Sequence, residues 1–314
     1  MRAVGITEFG GPDVLCLVDL PDPEPGPGEV RIRVRAAAVN PTDTVLRSGG
    51  RAERLRDIAP PHVPGMDAAG ALEQIGEGVR TDLRVGDRVM AIVVPLGQRG
   101  AYAERVVVPA ESVVRSPAGA TDAEATTLPM NGLTARLALD ELSLAPGRTL
   151  AVTGAAGAVG GYVVQLAKAE GLRVIADAAP GDEALVGALG ADHVVPRGDP
   201  YADSVRDLVP GGADGLVDGA LLNELAIPAV ADGGRIVTVR GYEGPGTRTR
   251  GITFFPVFVR TYAREQAKLD RLREQAEDGT ITLRVARTMP AAEAAEAHRL
   301  LEARGVRGRL VLEF

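Results

Sequence analysis

The sequence predicts an α/β protein in two parts, a small irregular β-barrel and a doubly wound parallel sheet. Three observations carry this. The first third holds short β-runs cut by Pro and Gly, whereas from residue 150 onward strands alternate with helices. Where the texture changes, at 150–167 (LAVTGAAGAVGGYVVQLA), a β-run enters a glycine turn and a helix-period stripe leaves it. At 314 residues the chain can bury two cores.

The barrel reading rests on β-runs at 14–19, 30–38, 70–75, 88–94 and 104–109. Turn clusters such as 21–28 (PDPEPGPG) and 96–100 separate them. Helices are expected at 122–129 and 133–142, and Pro146-Gly147 then breaks the chain. The next strand, 150–153, opens into a stripe of Ala158, Val159, Tyr162, Val163, Leu166 and Ala167, paired four apart as one buried helix face requires. Gly154, Gly157 and Gly160 recur three apart, where a dinucleotide pyrophosphate would rest on the first helical turn. Glycine serves there for the turn, for close approach of backbone to phosphate, and for tight helix–strand packing. Beyond it, strands at 173–176, 193–195, 215–218 and 235–239 alternate with helices at 182–189 (ended by Gly190), 201–208 and 221–230. An amphipathic helix follows at 262–278, with Tyr262, Leu269, Leu272 and Ala276 as its apolar positions. The tail reads as a strand, a helix at 290–304 with Gly305 behind it, and a strand at 309–313.

Composition narrows the function. The chain is 45% hydrophobic and 25% charged, with net charge −7 and no basic block, so neither nucleic acid nor a membrane is an expected partner. The start, MRAVGITEFG, lacks an export pattern, and Cys16 is the sole cysteine, which removes intrachain disulfides and thiolate clusters. A cytoplasmic setting is the expectation. The uncharged stretch 150–167 imitates a membrane span, but its glycines and its change of period argue for strand, turn and helix.

Motifs in order along the chain resemble the medium-chain dehydrogenase/reductase superfamily, in its zinc-free quinone oxidoreductase (zeta-crystallin-like) branch. They are 25–43 (PGPGEVRIRVRAAAVNPTD), 64–70 (PGMDAAG), 85–89 (VGDRV), 100–104 (GAYAE), 128–135 (LPMNGLTA), 154–160 (GAAGAVG) and 189–195 (LGADHVV). The resemblance implies a GroES-like β-barrel catalytic domain, split between 1–120 and 260–314 around a Rossmann domain at 121–259. It also implies a cleft between them and a homodimer, built through an edge strand near 251–255. Zinc-dependent relatives carry Cys where this chain has Asn40, and His-Glu where it has Met66-Asp67. The three histidines, His62, His193 and His298, fit no ligand spacing and read as surface or strand-end residues, so no metal is expected.

Without a metal to hold an alkoxide, suitable acceptors are those that disperse hydride charge themselves, quinones and α,β-unsaturated carbonyls. The protein then supplies orientation and hydrogen-bond donors for the developing oxyanion. By resemblance, Asn40 and Asp43 order the nicotinamide side of the cleft and Thr134 contacts the nicotinamide. The plainer alternatives are a turn residue, a helix cap and a helix residue. Asp67 reads as a brace of its own turn. Val45 stands where related quinone reductases often place a tyrosine, which leaves the proton donor unassigned, with Tyr102 and Arg47 the remaining candidates. Ala155, Ala156, Ala158 and Val159 complete the glycine turn, and Val239, Gly241 and Gly308 resemble positions near the nicotinamide end.

For the nucleotide, Arg197 suits a 2′-phosphate while Asp177, ending the second strand, suits the ribose hydroxyls of NADH. NADPH is favoured. The alternatives in function are an enoyl-thioester reductase, its carrier held by Arg47, Arg51, Arg54 and Arg56, and a non-catalytic nucleotide-binding or redox-sensing protein.

Overall fold

The computed structural model describes residues 1–246 and 249–314. It divides them into two units. One comprises Met1–Met130, Tyr262–Asp278 and Leu283–Phe314; the other comprises Asn131–Thr261 and Gly279–Thr282.

The first unit is organised by one long strand, Glu29–Val39. Its first half alternates Val30, Ile32 and Val34 inward with Arg31, Arg33 and Arg35 outward, while Ala36–Val39 is small and buried on both faces. That strand pairs antiparallel with Asp67–Ile75, Arg105–Pro109 and the C-terminal strand Arg309–Glu313. Arg88–Ile92, Val113–Arg115 and Val285–Pro290 complete a seven-stranded sheet. Ile32, Leu72, Val89, Val106 and Leu310 meet in its core.

The second unit is a six-stranded, all-parallel sheet. Its order is His193–Pro196, Arg173–Ala178, Thr149–Thr153, Ala213–Asp218, Val230–Thr238, Thr253–Pro256. Counted along the chain this is the 3-2-1-4-5-6 arrangement of a dinucleotide-binding sheet, and the order reverses between Thr149–Thr153 and Ala213–Asp218. Ligands of such sheets bind at the carboxyl ends of the strands beside that reversal. Thr153, Asp218 and Thr238 share one register level at that end.

Several elements differ from the sequence reading, each for a local reason. The helix expected at 221–230 is a 3₁₀ stretch, Asn223–Ala229, because Pro228 removes a donor and both Leu221 and Asn223 take positive φ. The helix expected from 262 starts at Gln266, after a 3₁₀ turn at Val259–Tyr262. Strand Arg2–Gly5 is too short for a periodic signal, and the edge strand expected near 251–255 spans Thr253–Pro256. The division between units also differs from the expected 120/121, lying at Met130/Asn131. Residues 122–130 are bonded to the barrel: Ala38 N donates to Thr126 Oγ1 (3.2 Å) and Met130 N to Asp67 Oδ1 (2.6 Å). Gly279–Thr282 belongs with the second unit, where Gln165 Nε2 donates to Thr282 Oγ1 at 2.9 Å. Among the described residues no helix is long and apolar enough to cross a membrane.

Candidate functional site

In the second unit, the buried strand Thr149–Thr153 runs into the glycine turn, and helix Ala158–Ala169 leaves it. Gly154 has φ +71°, and an added Cβ would lie 2.9 Å from the Gly219 carbonyl carbon. A Cβ on Gly160 would lie 2.3 Å from the Gly154 oxygen, so helix and turn touch where any side chain would part them. Gly157 is the N-cap, and Gly157, Ala158 and Val159 remain partly accessible at the helix N-terminus, an end whose dipole favours an anion. Ala155 and Ala156 are buried in the turn.

Two neighbours steady this turn. Asp177 Oδ1 accepts from Ala155 N at 2.9 Å, so its carboxylate faces the turn. Its Oδ2 has no hydrogen-bond partner and lies 3.9 Å from Arg197 Nε. Burial raises the Asp177 carboxyl above its ordinary range, against the pull of the Ala155 and Gly154 amides and of Arg197. Arg197 is held by its own backbone, N to Ala178 O at 3.0 Å, and leaves its guanidinium 41% exposed. On the other side, Asp218 accepts from Thr153 Oγ1 (2.6 Å), Leu222 N (3.0 Å) and Asn223 N (2.7 Å), which fixes the loop after its strand. Val239 and Gly241 follow the end of Val230–Thr238, and Gly241 has φ +81°. Thr134 is buried on helix Pro129–Leu142. Gly308 lies in the first unit, where close packing explains its glycine: a Cβ would sit 2.6 Å from Arg284 O.

The first unit gathers a buried polar network from distant parts of the chain. Asn40 ends the long strand and precedes helix Pro41–Arg47; its backbone N donates to Asp43 Oδ2 at 2.8 Å, the capping reading of Asp43. Asp43 does more than cap. Its Oδ1 accepts from Gly65 N (3.1 Å) and its Oδ2 from the Tyr102 hydroxyl (3.2 Å). Because Tyr102 donates to Asp43, it accepts from His298 Nε2 at 3.2 Å, leaving His298 Nδ1 the bare nitrogen, without a partner. Asp67 Oδ2 accepts from Asn40 Nδ2 at 2.6 Å and Oδ1 from Met130 N at 2.6 Å.

Burial dominates these groups' titration. It pushes the Asp43 carboxyl up to about 6, against the Asn40 and Gly65 amides. It pushes Asp67 up to about 7, against Met130 and Asn40 and with the help of nearby Asp43. Burial, then Arg47, lowers His298 to about 3, so its imidazole is neutral. Burial also raises the Tyr102 phenol, followed by the charge of Asp43.

Three readings are corrected here. His298 is a fully buried hydrogen-bonding residue rather than a surface one. His62 too is buried, 6% exposed. Arg47 is no free acid: its Nε donates to Gly10 O (3.1 Å) and its guanidinium pairs with Glu302 (2.6 Å). The sequence did hold a signal for His298, which falls four residues after buried Ala294 on the apolar face of helix Ala294–Glu302.

The residues at the zinc-ligand positions do not suit zinc. The Asn40 amide nitrogen and both Asp67 oxygens are engaged with one another and with Met130, and Met66 is a poor ligand for this ion. Among the described residues no group of three His, Cys, Asp or Glu is placed to hold a metal.

Comparison with known proteins agrees with this architecture. Residues 26–118 match the alcohol dehydrogenase GroES-like domain and 189–312 the family described as zinc-binding dehydrogenase. The chain is 30% identical to a quinone oxidoreductase of Sus scrofa, over 99% of this chain and 97% of that protein. It is 32% identical to a 2-methylene-furan-3-one reductase of Solanum lycopersicum over 78% of this chain, and spans only 63% of that protein's length. Among solved structures, a mycobacterial protein in complex with NADPH has TM-score 0.87 at 30% identity, with both chains fully covered. An NAD-dependent alcohol dehydrogenase has TM-score 0.86 at 34% identity, again covering both chains completely. The strand order, the glycine turn and these matches together make the chain an oxidoreductase of the medium-chain dehydrogenase/reductase superfamily, on its zeta-crystallin-like branch.

Proposed function

We propose that this enzyme reduces quinones or α,β-unsaturated carbonyls with NADPH and without zinc. The observation that carries the reading is the pairing of a glycine turn at the sheet's reversal point with a barrel whose metal-ligand positions are closed by hydrogen bonds. Gly154 to Gly160 would hold the pyrophosphate on the helix N-terminus, and the exposed Arg197 would meet the 2′-phosphate. NADPH, when bound, supplies the hydride. Val239 and Gly241 would pass close to its nicotinamide end, with Thr134 its side-chain contact. Asn40 and Asp43 organise the barrel side of the reaction, Asp43 as a buried brace. The dimer that the family resemblance implies would join through the edge strand Thr253–Pro256.

One observation favours NADH instead: the unpartnered Asp177 Oδ2 is suited to a ribose hydroxyl. Against it, Asp177 Oδ1 is engaged by the turn, and the strand's last residue is the apolar Ala178. Fluorescence titration with both nucleotides decides. The expected result is at least tenfold tighter NADPH, and equal or tighter NADH overturns the assignment.

A further inference from the structure

Asp177 Oδ2, an acceptor, and the Tyr201 hydroxyl, a donor, are both buried in the second unit without a hydrogen-bond partner. Leaving such groups unpaired is costly in a dry interior. Asp177 stands at the carboxyl end of strand Arg173–Ala178, where the ribose of a dinucleotide passes. Yet its side chain is only 2% exposed, and its Oδ1 is turned onto Ala155 N of the glycine turn at 2.9 Å. A carboxylate poised for a ribose hydroxyl would show an oxygen to solvent; this one shows almost none.

Tyr201 approaches from the neighbouring segment. It begins helix Tyr201–Leu208, just beyond strand His193–Pro196, which pairs with the strand of Asp177 by matching Val195 to Asp177. Its ring is 0% exposed, in an apolar core with Ile175, Val195 and Leu216. Burial first, then the charges of Asp177 and Asp218, raise its phenol, which sets the hydroxyl within the field of both carboxylates. Of the two, Asp218 is spent: it accepts from Thr153 Oγ1, Leu222 N and Asn223 N. Asp177 Oδ2 is the acceptor that remains for the phenol.

We infer that Tyr201 is a positioning residue of the nucleotide site: its hydroxyl donates to Asp177 Oδ2, directly or across one water, and keeps this carboxylate turned toward the glycine turn and away from the ribose. The inference deepens the NADPH reading, on which it rests, by explaining how an acidic residue at this strand end leaves room for a 2′-phosphate. With both oxygens held inward, Asp177 braces the turn. The charge left facing solvent beside it is that of Arg197, 41% exposed.

Fluorescence titration of variants with NADPH and NADH tests this, read as the ratio of the two affinities. Tyr201→Phe removes one oxygen and keeps the ring. It frees Asp177 to meet a ribose hydroxyl, so the preference for NADPH should fall by about tenfold. Asp177→Asn should weaken both nucleotides alike, with the ratio within about threefold of wild type, and on that background Tyr201→Phe should shift the ratio no further. An unchanged ratio in Tyr201→Phe overturns the inference. So does a shift that survives in the double variant. A rise of about tenfold in NADPH preference from Asp177→Asn alone overturns it too, because Asp177 would then already meet the ribose. Should Tyr201→Phe not fold, this last comparison carries the test by itself. A wild type that favours NADH overturns the NADPH assignment, and the inference then stands or falls on the same changes in ratio; one that binds neither nucleotide removes both.

Discussion

The glycine turn and the buried polar network are built in opposite ways. The turn is contiguous: strand, glycines and helix lie within 149–169, and backbone geometry does most of the work. The network draws Asn40, Asp43, Asp67, Tyr102 and His298 from five elements or loops of the first unit, and depends on side chains meeting at hydrogen-bond distance. A contiguous site tolerates almost no added atom, whereas a dispersed one tolerates change in proportion to the donors and acceptors left unpaired.

The largest expected effect lies in the turn. Gly160→Val puts a branched side chain where a single Cβ is already 2.3 Å from the Gly154 oxygen. Nucleotide affinity should fall by roughly a hundredfold or more, with about 1–3 kcal/mol of stability lost to overpacking, read by fluorescence titration and urea denaturation. Retained binding would mean that the turn does not hold the pyrophosphate.

The network should respond next, and in stability first. Asp43→Ala removes the acceptor of Asn40 N, Gly65 N and the Tyr102 hydroxyl, all in buried surroundings. About 3 kcal/mol of destabilisation in urea is expected, with nucleotide affinity little changed. A loss below about 1 kcal/mol would mean that water or a rearranged neighbour replaces the carboxylate.

A smaller effect separates the two nucleotides. Arg197→Ala should weaken NADPH by about tenfold, or about 1.4 kcal/mol, and leave NADH unchanged. Equal weakening of both would give Arg197 a role other than 2′-phosphate recognition.

The smallest effect is the pH dependence of folding. Asp43 and Asp67 titrate near 6 and 7 in the fold against an ordinary 3.8, so the folded state keeps protons that the unfolded chain releases. Their contribution is fully present below about 4 and is lost as pH rises through 6 and 7. His298 runs the other way: its imidazole, lowered to about 3 from 6.5, contributes stability above 6.5 that is lost as pH falls toward 3. The carboxyls alone act between 6.5 and 8, so wild-type Tm should decline by a few degrees across that window and Asp67→Asn should flatten the decline. A rising Tm would contradict the sign.

The same contrast explains how much was legible in the sequence. The Gly154–Gly157–Gly160 spacing, the alternation of strands with helices up to 218 and the Gly190 stop are local patterns, and each falls where one-dimensional periodicity places it. Asn40 and Asp43 stood out in their motif, but their partners did not. Tyr102 and His298 lie 196 positions apart in the chain, and no spacing rule joins them. Asp67 looked like a turn brace because its partners, Asn40 and Met130, come from other segments. Arg47 stood as a candidate proton donor, and no local pattern joined it to its partners, Glu302 and the Gly10 carbonyl.

The most direct test of the account is NADPH oxidation by chelator-treated, metal-free protein across a panel of quinones and conjugated enones. The account predicts sustained turnover that added zinc does not raise. Turnover lost on chelation and restored by zinc would contradict it, because the hydrogen-bonded Asn40–Asp67 pair would then have to open to admit a metal.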